Sequence, residues 1–352
     1  MDLQKIRNSI DVLDSKILKL LNDRMEFALL ANRFKDEVED KGREQELLKR
    51  IKKEMGRLID PLFCEKLYVE IIKKSKELQN KKLKLIAFQG EHGAYSDVAA
   101  RIWNSSSLVS ISCKEFSEVF KGVNSGIYDF GIVPVENTLG GIVGEVNDIM
   151  FKTDLHIVGA VDLKIHHALM TLHDIDHREI KTVYSHPQAL AQCREFLIRN
   201  KLEPSPFYDT AGAARWLTEK QPKGSAVIAS KLAGDLYNLK IVKENIEDHE
   251  VNRTRFLILA KEAISKDMAG EKCSIVFSTK DKAGVLYEIL NIFAEKNINL
   301  TRIESVPSRP GEYAFFVDFI GSSSDKPVSE VINQVKTRTS NFRFLGCYSE
   351  KK

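Results

Sequence analysis

The chain has 352 residues, 43% of them hydrophobic, and its formal charge of +3 is the small difference between 53 basic and 50 acidic side chains. This length allows two or three domains with sizeable cores, and so small a net charge gives no whole-chain signal for nucleic acid or an acidic membrane. No apolar run approaches the ~20 residues that span a bilayer, the N-terminus lacks a signal-peptide core, and the cysteines lack CxxC spacing, so we expect a cytoplasmic protein without metal or cofactor.

Residues 1–80 are predicted to be helical throughout. Apolar residues from Leu3 to Leu20 recur at steps of three and four, which is the pattern of one long amphipathic helix. A second helix is indicated around Leu47, and a third begins at Asp60-Pro61, an N-cap followed by proline at the first helical position. Three helices with so long a first member can hardly enclose a core alone, so we expect a homodimer of intertwined helices.

After the polar segment 79–82, short strand-like runs alternate with helical ones. Strands are predicted at Leu83–Phe88, Asp129–Val135, Thr182–Tyr184, Ser225–Ala229 and Phe256–Leu259, and helices at Ser96–Trp103 and Pro187–Asn200. This alternation is typical of α/β architecture with largely parallel sheets, and about 180 residues leave room for two lobes. A compact unit follows at 272–349, with its first helix at Val285–Glu295, and its order βαββαβ predicts a ferredoxin-like fold.

Polar residues of the helical segment suggest anion binding. Ser75 and Gln79 end an apolar i, i+4 line on the third helix, which would also fit a helix fraying toward solvent. Arg7 and Arg24 lie roughly 25 Å apart along the first helix, too far to grip one small anion within one chain. In a dimer, Arg7 of one chain could reach the site that holds Arg24 of its neighbour.

These positions together resemble the all-helical chorismate mutase family over the first 80 residues. The resemblance implies an active site formed by Arg7, Arg24, Lys35, Asp40, Arg43, Glu44, Ser75 and Gln79. The family rearranges chorismate to prephenate without a covalent step, so the site must hold a dicarboxylate and stabilise charge on its ether oxygen. The resemblance implies that the three arginines bind the carboxylates and that Lys35 and Gln79 donate hydrogen bonds to the ether oxygen. It also implies that Glu44 accepts a hydrogen bond from the substrate hydroxyl.

In the middle segment, Glu136, Asn137 and Thr138 follow a predicted buried strand, with Gly140 and Gly141 close behind. This position is the carboxyl edge of a sheet, where open α/β folds bind ligands. The glycines would let the backbone approach a ligand. A tight strand-to-helix turn with an asparagine cap would fit the stretch equally well.

Three further stretches carry a second resemblance. VYSHPQALAQC contains Ser185, Gln188 and Gln192, NRTRFLIL contains Thr254 and Arg255, and FQGEHGAYS precedes the first helix of the segment. From about Lys84 to Leu259 these motifs resemble prephenate dehydratase, which implies two α/β lobes, similar to a periplasmic binding protein, with prephenate in the cleft. The implied reaction removes water and carbon dioxide to give phenylpyruvate.

The resemblance to prephenate dehydratase implies that Thr254 contacts the leaving hydroxyl. The implied cleft residues are Glu136, Asn137, Thr138, Ser185 and Gln192. Arg255 would either bind a substrate carboxylate or pair with an acidic neighbour. No G-x-G-x-x-G occurs, which disfavours NAD and prephenate dehydrogenase. The histidines from His166 to His177 lie in a polar loop and are not expected to bind metal.

Residues 272–349 resemble an ACT domain, a small module that senses amino acids. Ala283-Gly284-Val285-Leu286 matches its turn before the first helix, and Glu304-Ser305 matches the start of its Glu-Ser-Arg-Pro signature. Val306 stands where the arginine belongs, and Arg309 is a candidate to compensate. The resemblance implies feedback by L-phenylalanine through Gly284, Val285, Leu286, Glu304 and Ser305, whereas a purely structural dimerisation role is the alternative.

We therefore predict a bifunctional chorismate mutase and prephenate dehydratase, a homodimer or tetramer, with a mutase domain at 1–80, a dehydratase domain at 83–260 and an ACT domain at 272–349. Its partners would be chorismate, prephenate and L-phenylalanine, with no nucleic acid and no membrane. The alternatives are a monofunctional dehydratase with a helical dimerisation domain, a ligand-binding regulator without catalysis, and arogenate as the substrate.

Overall fold

The computed structural model describes residues 3–53, 58–104, 108–263, 270–309 and 312–352, with the backbone alone at 4–5 and 306–309. The chain divides into two compact units, Met1–Lys84 and Leu85–Lys352. Within the described ranges, every helix is too short or too polar to cross a lipid bilayer.

The first unit is helical, as predicted. Its described helices are α1 (Leu3–Ala31), a short 3-10 helix (Asn32–Phe34), α2 (Lys41–Lys53) and α3 (Pro61–Asn80). The predicted start of α3 is confirmed, because a carboxylate oxygen of Asp60 accepts a hydrogen bond from the N–H of Phe63 and Pro61 occupies the first turn. The apolar stripe of α1 lies on the surface of this unit, with exposed fractions from 43% to 65% at Leu3, Ile6, Ile10, Leu13, Ile17 and Leu20.

The second unit contains the strands of the chain. The strands are β1 (Lys84–Gln89), β2 (Leu108–Cys113), β3 (Phe130–Asn137), β4 (Gly141–Ile142), β5 (His156–Lys164), β6 (Ala168–Thr171), β7 (Thr182–Ser185), β8 (Glu203–Pro206), β9 (Ser225–Ala229), β10 (Lys240–Lys243), β11 (Arg253–Ala260), β12 (Lys272–Lys280), β13 (Leu300–Arg309), β14 (Glu312–Ile320), β15 (Ser340–Tyr348) and β16 (Glu350–Lys351). The helices are α4 (Tyr95–Trp103), α5 (Phe116–Ser125), α6 (Gly144–Lys152), α7 (Pro187–Gln192), α8 (Arg194–Arg199), α9 (Thr210–Lys220), α10 (Lys231–Leu236), α11 (Val285–Glu295) and α12 (Lys326–Arg338).

Among the described residues these strands form three sheets. The first sheet has the order β16-β5-β11-β3-β1-β2, and β4 pairs with the end of β3. The second sheet has the order β10-β6-β9-β7-β8, and the third has the order β13-β14-β12-β15. The first two sheets are the cores of the two predicted lobes. The third, with α11 and α12, has the predicted ferredoxin-like order. Its outer strand continues into β16, which pairs with β5 and so joins the third sheet to the first lobe.

The prediction of largely parallel sheets is wrong, because both lobes have mixed sheets. β3 pairs with β1 in parallel, but β11 runs antiparallel to both β3 and β5. In the second lobe β7 is parallel to β8 and β9, whereas β6 is antiparallel to β9 and β10. The physical reason is connectivity: β11 returns from the second lobe and enters the first sheet between β3 and β5 in the opposite direction.

Three predicted boundaries also change. Glu136 and Asn137 do not follow the strand but form the end of β3, which folds back through a tight hairpin onto β4. Thr254 and Arg255 likewise lie inside β11, opposite Asn137 and Glu136. The helix predicted from Pro187 is interrupted and continues as α8. The end of β3 and the start of β11 therefore place Glu136 and Asn137 beside Arg255 and Thr254.

The hairpin after β3 depends on its two glycines. Gly141 adopts a φ of 75°, in the left-handed region that favours glycine. A Cβ atom on Gly140 would lie 2.0 Å from Nε2 of Gln188, which reaches over from α7. The glycines therefore serve this turn and the close approach of a side chain from the other lobe, rather than a turn leading directly into a helix.

Candidate active sites

Ser75 and Gln79 lie buried against α1 in the first unit. The Nη1 atom of Arg24 donates a hydrogen bond to Oγ of Ser75 over 2.6 Å. The Nε2 atom of Gln79 donates to the carbonyl oxygen of Ala28 over 2.6 Å. Because Ser75 is 7% and Gln79 5% exposed, this end of α3 does not fray toward solvent. The fold thus gathers a cation, a hydroxyl and an amide from two helices.

Glu44 on α2 also contacts α3. The Nζ atom of Lys76, one residue after Ser75, lies 2.9 Å from Oε1 of Glu44. The hydrogen bond to Glu44 raises the pKa of Lys76. Lys76 was not identified from the sequence, because a lone lysine on a helix carries no signal of its partner.

The other predicted residues of the first unit, Arg7, Lys35, Asp40 and Arg43, are exposed. Asp40 accepts a hydrogen bond from the N–H of Arg43 over 2.9 Å at the start of α2. The guanidinium of Arg43 lies 3.3 Å from a carboxylate oxygen of Glu46. A single first unit therefore brings Arg24, Ser75 and Gln79 close together and leaves these four at its surface.

In the second unit, Asn137 connects the ends of β3 and β11. Its Oδ1 accepts hydrogen bonds from the backbone N–H groups of Leu139 at 3.0 Å and Gly140 at 2.7 Å. Its Nδ2 donates to Oγ1 of Thr254 and to Oδ1 of Asn252, both over 2.9 Å. Two predicted site residues, Asn137 and Thr254, are thus in direct contact.

Gln188 and Gln192 reach Asn137 from α7, in the second lobe. The Nε2 atoms of both glutamines lie 3.4 Å from Oδ1 of Asn137. The Oε1 atom of Gln192 accepts a hydrogen bond from Nδ2 of Asn252 over 2.9 Å and lies 2.8 Å from Nε2 of His167. These contacts place the polar cluster in the cleft between the first and second sheets.

Ser185 and Thr138 bind main chain beside this cluster. Ser185 is fully buried, and its Oγ donates to the carbonyl oxygen of Ile228 over 2.6 Å. The Oγ1 atom of Thr138 donates to the carbonyl oxygen of Val251 over 2.8 Å and accepts from the backbone N–H of Arg253 over 3.0 Å. Both hydroxyls therefore support the backbone on either side of the cleft.

Sequence reasoning missed Asn252 and His167. Asn252 is the first residue of the NRTRFLIL motif, so its place two positions before Thr254 was the available signal. His167 belongs to the clustered histidines, whose sequence pattern raises only the question of a metal site. Its side chain instead lies against Gln192, and the part of the chain that the structure describes contains no group of three or more His, Cys, Asp or Glu placed to hold a metal.

Arg255 lies on the face of β11 opposite Thr254, since neighbouring strand residues alternate. Its Nη1 lies 2.5 Å from Oδ2 of Asp318 in the third sheet. Its Nη2 donates to Oη of Tyr348 over 2.9 Å, and its Nε lies 2.7 Å from Oε1 of Glu350. Burial lowers the pKa of Arg255, but Asp318, Tyr348 and Glu350 together outweigh this and raise it. Of the two predicted alternatives, pairing with acidic neighbours is the one observed.

A cavity of about 330 Å³ lies on this opposite face of the first sheet. It is lined by Glu136, Asn137, Thr138, Gly141, Ile142, Asp162, Arg253, Arg255, Lys272 and Glu350. The Oε1 atom of Glu136 is 3.5 Å from Nη1 of Arg255, and Nε of Arg253 is 2.9 Å from Oδ2 of Asp162. Glu136, predicted to line the cleft, thus lies with Arg255 rather than with Thr254.

Comparison with known proteins decides between the predicted functions. Family models match residues 6–80 as chorismate mutase type II, 86–264 as prephenate dehydratase and 274–337 as ACT domain. A bifunctional chorismate mutase/prephenate dehydratase of Aquifex aeolicus is 33% identical over 359 residues, which cover 99% of this chain and 98% of that protein. The chain belongs to the bifunctional chorismate mutase/prephenate dehydratases.

Both activities and the order of the domains are therefore confirmed: the protein rearranges chorismate to prephenate and converts prephenate to phenylpyruvate. "Arogenate dehydratase/prephenate dehydratase 2, chloroplastic" of Arabidopsis thaliana is 37% identical over 275 residues, covering 75% of this chain and 72% of that protein. A solved prephenate dehydratase from Arthrobacter aurescens in complex with L-Phe has a TM-score of 0.69 and 26% identity, covering 75% of this chain and 89% of that one. The predicted domain boundaries stay predictions.

In the ACT domain, the structure places the predicted effector residues at two positions. Gly284 caps α11 with a φ of 87°, and a Cβ atom there would meet nothing within 4 Å. Val285 and Leu286 form the first turn of that helix. The open backbone at Gly284 is what the approach of a ligand requires. Effector binding by these residues stays a prediction.

Glu304 and Ser305 lie on β13. The Oε2 atom of Glu304 accepts a hydrogen bond from Nδ2 of Asn147 on α6 over 2.7 Å and lies 3.0 Å from Nη2 of Arg302. Glu304 therefore connects the ACT domain to the first lobe of the dehydratase, whereas Ser305 is exposed. Arg309 is the residue predicted to compensate for Val306. The side chains of both lie outside the described part of the structure.

Proposed function

We propose that the mutase active site is completed by helices of two copies of the chain. The support is the exposed apolar stripe of α1, from Leu3 to Leu20, which a second first unit would cover. Arg7 and Arg24, roughly 25 Å apart on one helix, can then meet at one site only if they come from different chains. The homodimer is thus a requirement of the proposed chemistry as well as of the helical core.

In the proposed mutase site, Arg24 and Arg7 of the partner subunit bind the two carboxylates of chorismate. Gln79 is already oriented by its bond to Ala28, and its amide has a second hydrogen to donate to the ether oxygen. Lys35 and Arg43 would add positive charge around the folded conformer, while Asp40 and Glu44 accept hydrogen bonds. Charge building on the ether oxygen is then met by fixed donors.

Replacing Arg24 by alanine tests the proposed mutase site. Loss of a charge-assisted bond to a carboxylate predicts about a 10- to 100-fold fall in the rate of chorismate consumption. Prephenate supplied directly should still be converted at the parent rate, since the dehydratase is a separate unit. Arg50→Ala on α2 is the matched control. Unchanged turnover of chorismate by Arg24→Ala would overturn the proposed role of Arg24 in carboxylate binding.

For the dehydratase we propose that Thr254 donates a hydrogen bond to the hydroxyl that leaves prephenate. The observation that carries this is the 2.9 Å bond from Nδ2 of Asn137 to Oγ1 of Thr254. Because Oγ1 accepts this bond, the hydrogen of the Thr254 hydroxyl is directed elsewhere, and the half-buried side chain can aim it at the substrate. Electrons released by decarboxylation then expel a hydroxyl whose developing charge is stabilised.

The remaining polar residues of the cleft position the substrate. Gln188 and Gln192 project into the cleft from α7, and Ser185 precedes that helix at the end of β7. Uncharged amides and hydroxyls distinguish the ring carboxylate from the pyruvyl side chain by geometry rather than by net charge. Arogenate differs from prephenate at that side chain, so parallel kinetics with the two substrates measure which one this cleft prefers.

We propose that L-phenylalanine inhibits the dehydratase by binding the ACT domain. The family match, the open backbone at Gly284 and the contact of Glu304 with α6 support this. We expect L-phenylalanine to slow phenylpyruvate formation from prephenate, and at about 100 times its Kd to stabilise the protein by about 2.7 kcal/mol in thermal unfolding. D-phenylalanine is the control. An unchanged rate with no thermal shift would favour a purely structural ACT domain.

A further inference from the structure

A chain of hydrogen-bonded polar side chains continues behind the cleft, beyond the proposed substrate-binding residues. From Thr254 it passes through Asn137 and Gln192 to His167, which is 2% exposed. The Nδ1 atom of His167 lies 2.7 Å from Oη of Tyr95 on α4. His167 and Tyr95 reach the cleft only through the two amides, so the proposed chemistry gives them no direct role.

The direction of every hydrogen bond in this chain follows from the backbone around Asn137. The N–H groups of Leu139 and Gly140 are donors that cannot reverse, so the atom of Asn137 that faces them must be Oδ1. The carbonyl oxygen of Arg253, 3.0 Å from Nδ2, is an acceptor that cannot reverse either. Asn137 can therefore present only its Nδ2 to Thr254, and the two hydrogens of Nδ2 are shared among Thr254, Asn252 and the carbonyl oxygen of Arg253.

The orientation of Gln192 and the tautomer of His167 follow from the orientation of Asn137. Since Oδ1 of Asn137 accepts, the atom of Gln192 facing it must be Nε2, and Oε1 must face His167. Nε2 of His167 then has to carry a hydrogen. Burial lowers the pKa of His167, so the ring is neutral and its Nδ1 is an acceptor. That acceptor shares the hydroxyl hydrogen of Tyr95 with the carbonyl oxygen of His166, 2.8 Å from Oη.

We propose that His167 and Tyr95 are positioning residues of the dehydration, which hold the amide of Gln192 in the orientation that donates to Asn137 and so keep Asn137 in place beside the Thr254 hydroxyl. The inference rests on the proposed role of Thr254. Were Gln192 inverted, its Oε1 would face Oδ1 of Asn137, which the backbone N–H groups of Leu139 and Gly140 hold in place. The two oxygens would repel each other and displace the Asn137 side chain, so the Thr254 hydroxyl would lose the contact that directs its hydrogen away from Asn137.

The test compares His167→Leu, His167→Gln and Tyr95→Phe in the full-length protein supplied with prephenate. Loss of one orienting hydrogen bond predicts about a 10- to 30-fold lower kcat for His167→Leu and about a 3-fold lower one for Tyr95→Phe, with KM nearly unchanged. His167→Gln can place a donor near the position of Nε2, and we expect it to recover most of kcat. Equal losses in the Leu and Gln variants would overturn the proposal, because a space-filling role does not need a donor.

A double-mutant cycle separates this inference from the proposed function. If His167 acts through Thr254, then His167→Leu should change kcat by less than about 2-fold in a Thr254→Ala background. Additive losses would overturn the positioning role while leaving the role of Thr254 intact. A Thr254→Ala variant with full kcat would instead overturn the proposed function. If His167→Leu does not fold, Tyr95→Phe, which keeps the ring and removes only the hydroxyl, provides the same cycle.

Discussion

Thr254→Ala is expected to lower kcat for dehydration of prephenate by about 10²- to 10³-fold, the usual cost of removing one donor aimed at developing negative charge. Chorismate consumption should continue at the parent rate, since Thr254 and the mutase site lie in different units. Prephenate would therefore accumulate when the variant is given chorismate. Following chorismate, prephenate and phenylpyruvate in one time course measures both activities of the same sample.

Thr254→Ser is the matched control for this prediction. Serine keeps a hydroxyl that can accept from Asn137 and donate to the substrate, so we expect it to retain kcat within about 10-fold. A loss in the serine variant as large as that in the alanine variant would show that the methyl group, and not the hydroxyl, is needed. Full activity of Thr254→Ala would show that a different group assists the departure of the hydroxyl.

Arg255→Met is expected to destabilise the second unit by about 3–5 kcal/mol, the usual cost of removing one partner from a buried ion pair. Asp318 is fully buried, and its closest cationic contact is the 2.5 Å approach of Arg255. Burial raises the pKa of Asp318, but Arg255, Arg302 and the hydrogen bond from Ser274 together outweigh this and lower it. Without Arg255 that carboxylate loses its main stabilising charge.

Tryptophan fluorescence during urea unfolding measures this loss. The two tryptophans, Trp103 and Trp216, both lie in the second unit, so the signal reports that unit alone. The double variant Arg255→Met with Asp318→Leu removes both charges, and we expect it to recover part of the lost stability. A loss of less than about 1 kcal/mol in Arg255→Met would mean that Arg302 and Ser274 suffice to stabilise Asp318.

Thr254 and Arg255 are neighbouring residues of one strand with separate tasks. Thr254 faces the cleft between the lobes, while Arg255 faces the ACT domain, because strand neighbours point to opposite faces. One short motif therefore contains both a group for the reaction and the main ionic contact between dehydratase and ACT domain. The sequence marked the motif as specific, but its resemblance assigned Arg255 to the substrate as readily as to an acidic partner.

Local patterns in the sequence predicted the elements that depend on neighbours along the chain. Asp60-Pro61 marked the start of α3, since capping and the fixed φ of proline act within one turn. The apolar run Ser225–Ala229 and the amphipathic stretch Val285–Glu295 were also predicted with their observed bounds. Recognisable motifs identified Asn137, Thr254 and Gln192 as one set before any contact among them was visible.

The sequence by itself thus determined the order of domains, the helices and strands with strong periodicity, and the residue types available for anion binding and proton donation. Only the tertiary structure decided that β11 runs antiparallel to β3, that Arg255 pairs with Asp318, and that His167 lies behind Gln192. Periodicity and capping act over a few residues, so they reveal local conformation. Strand direction and the partners of buried charges depend on groups brought together by the return of a distant segment, for which a single sequence has no local signal.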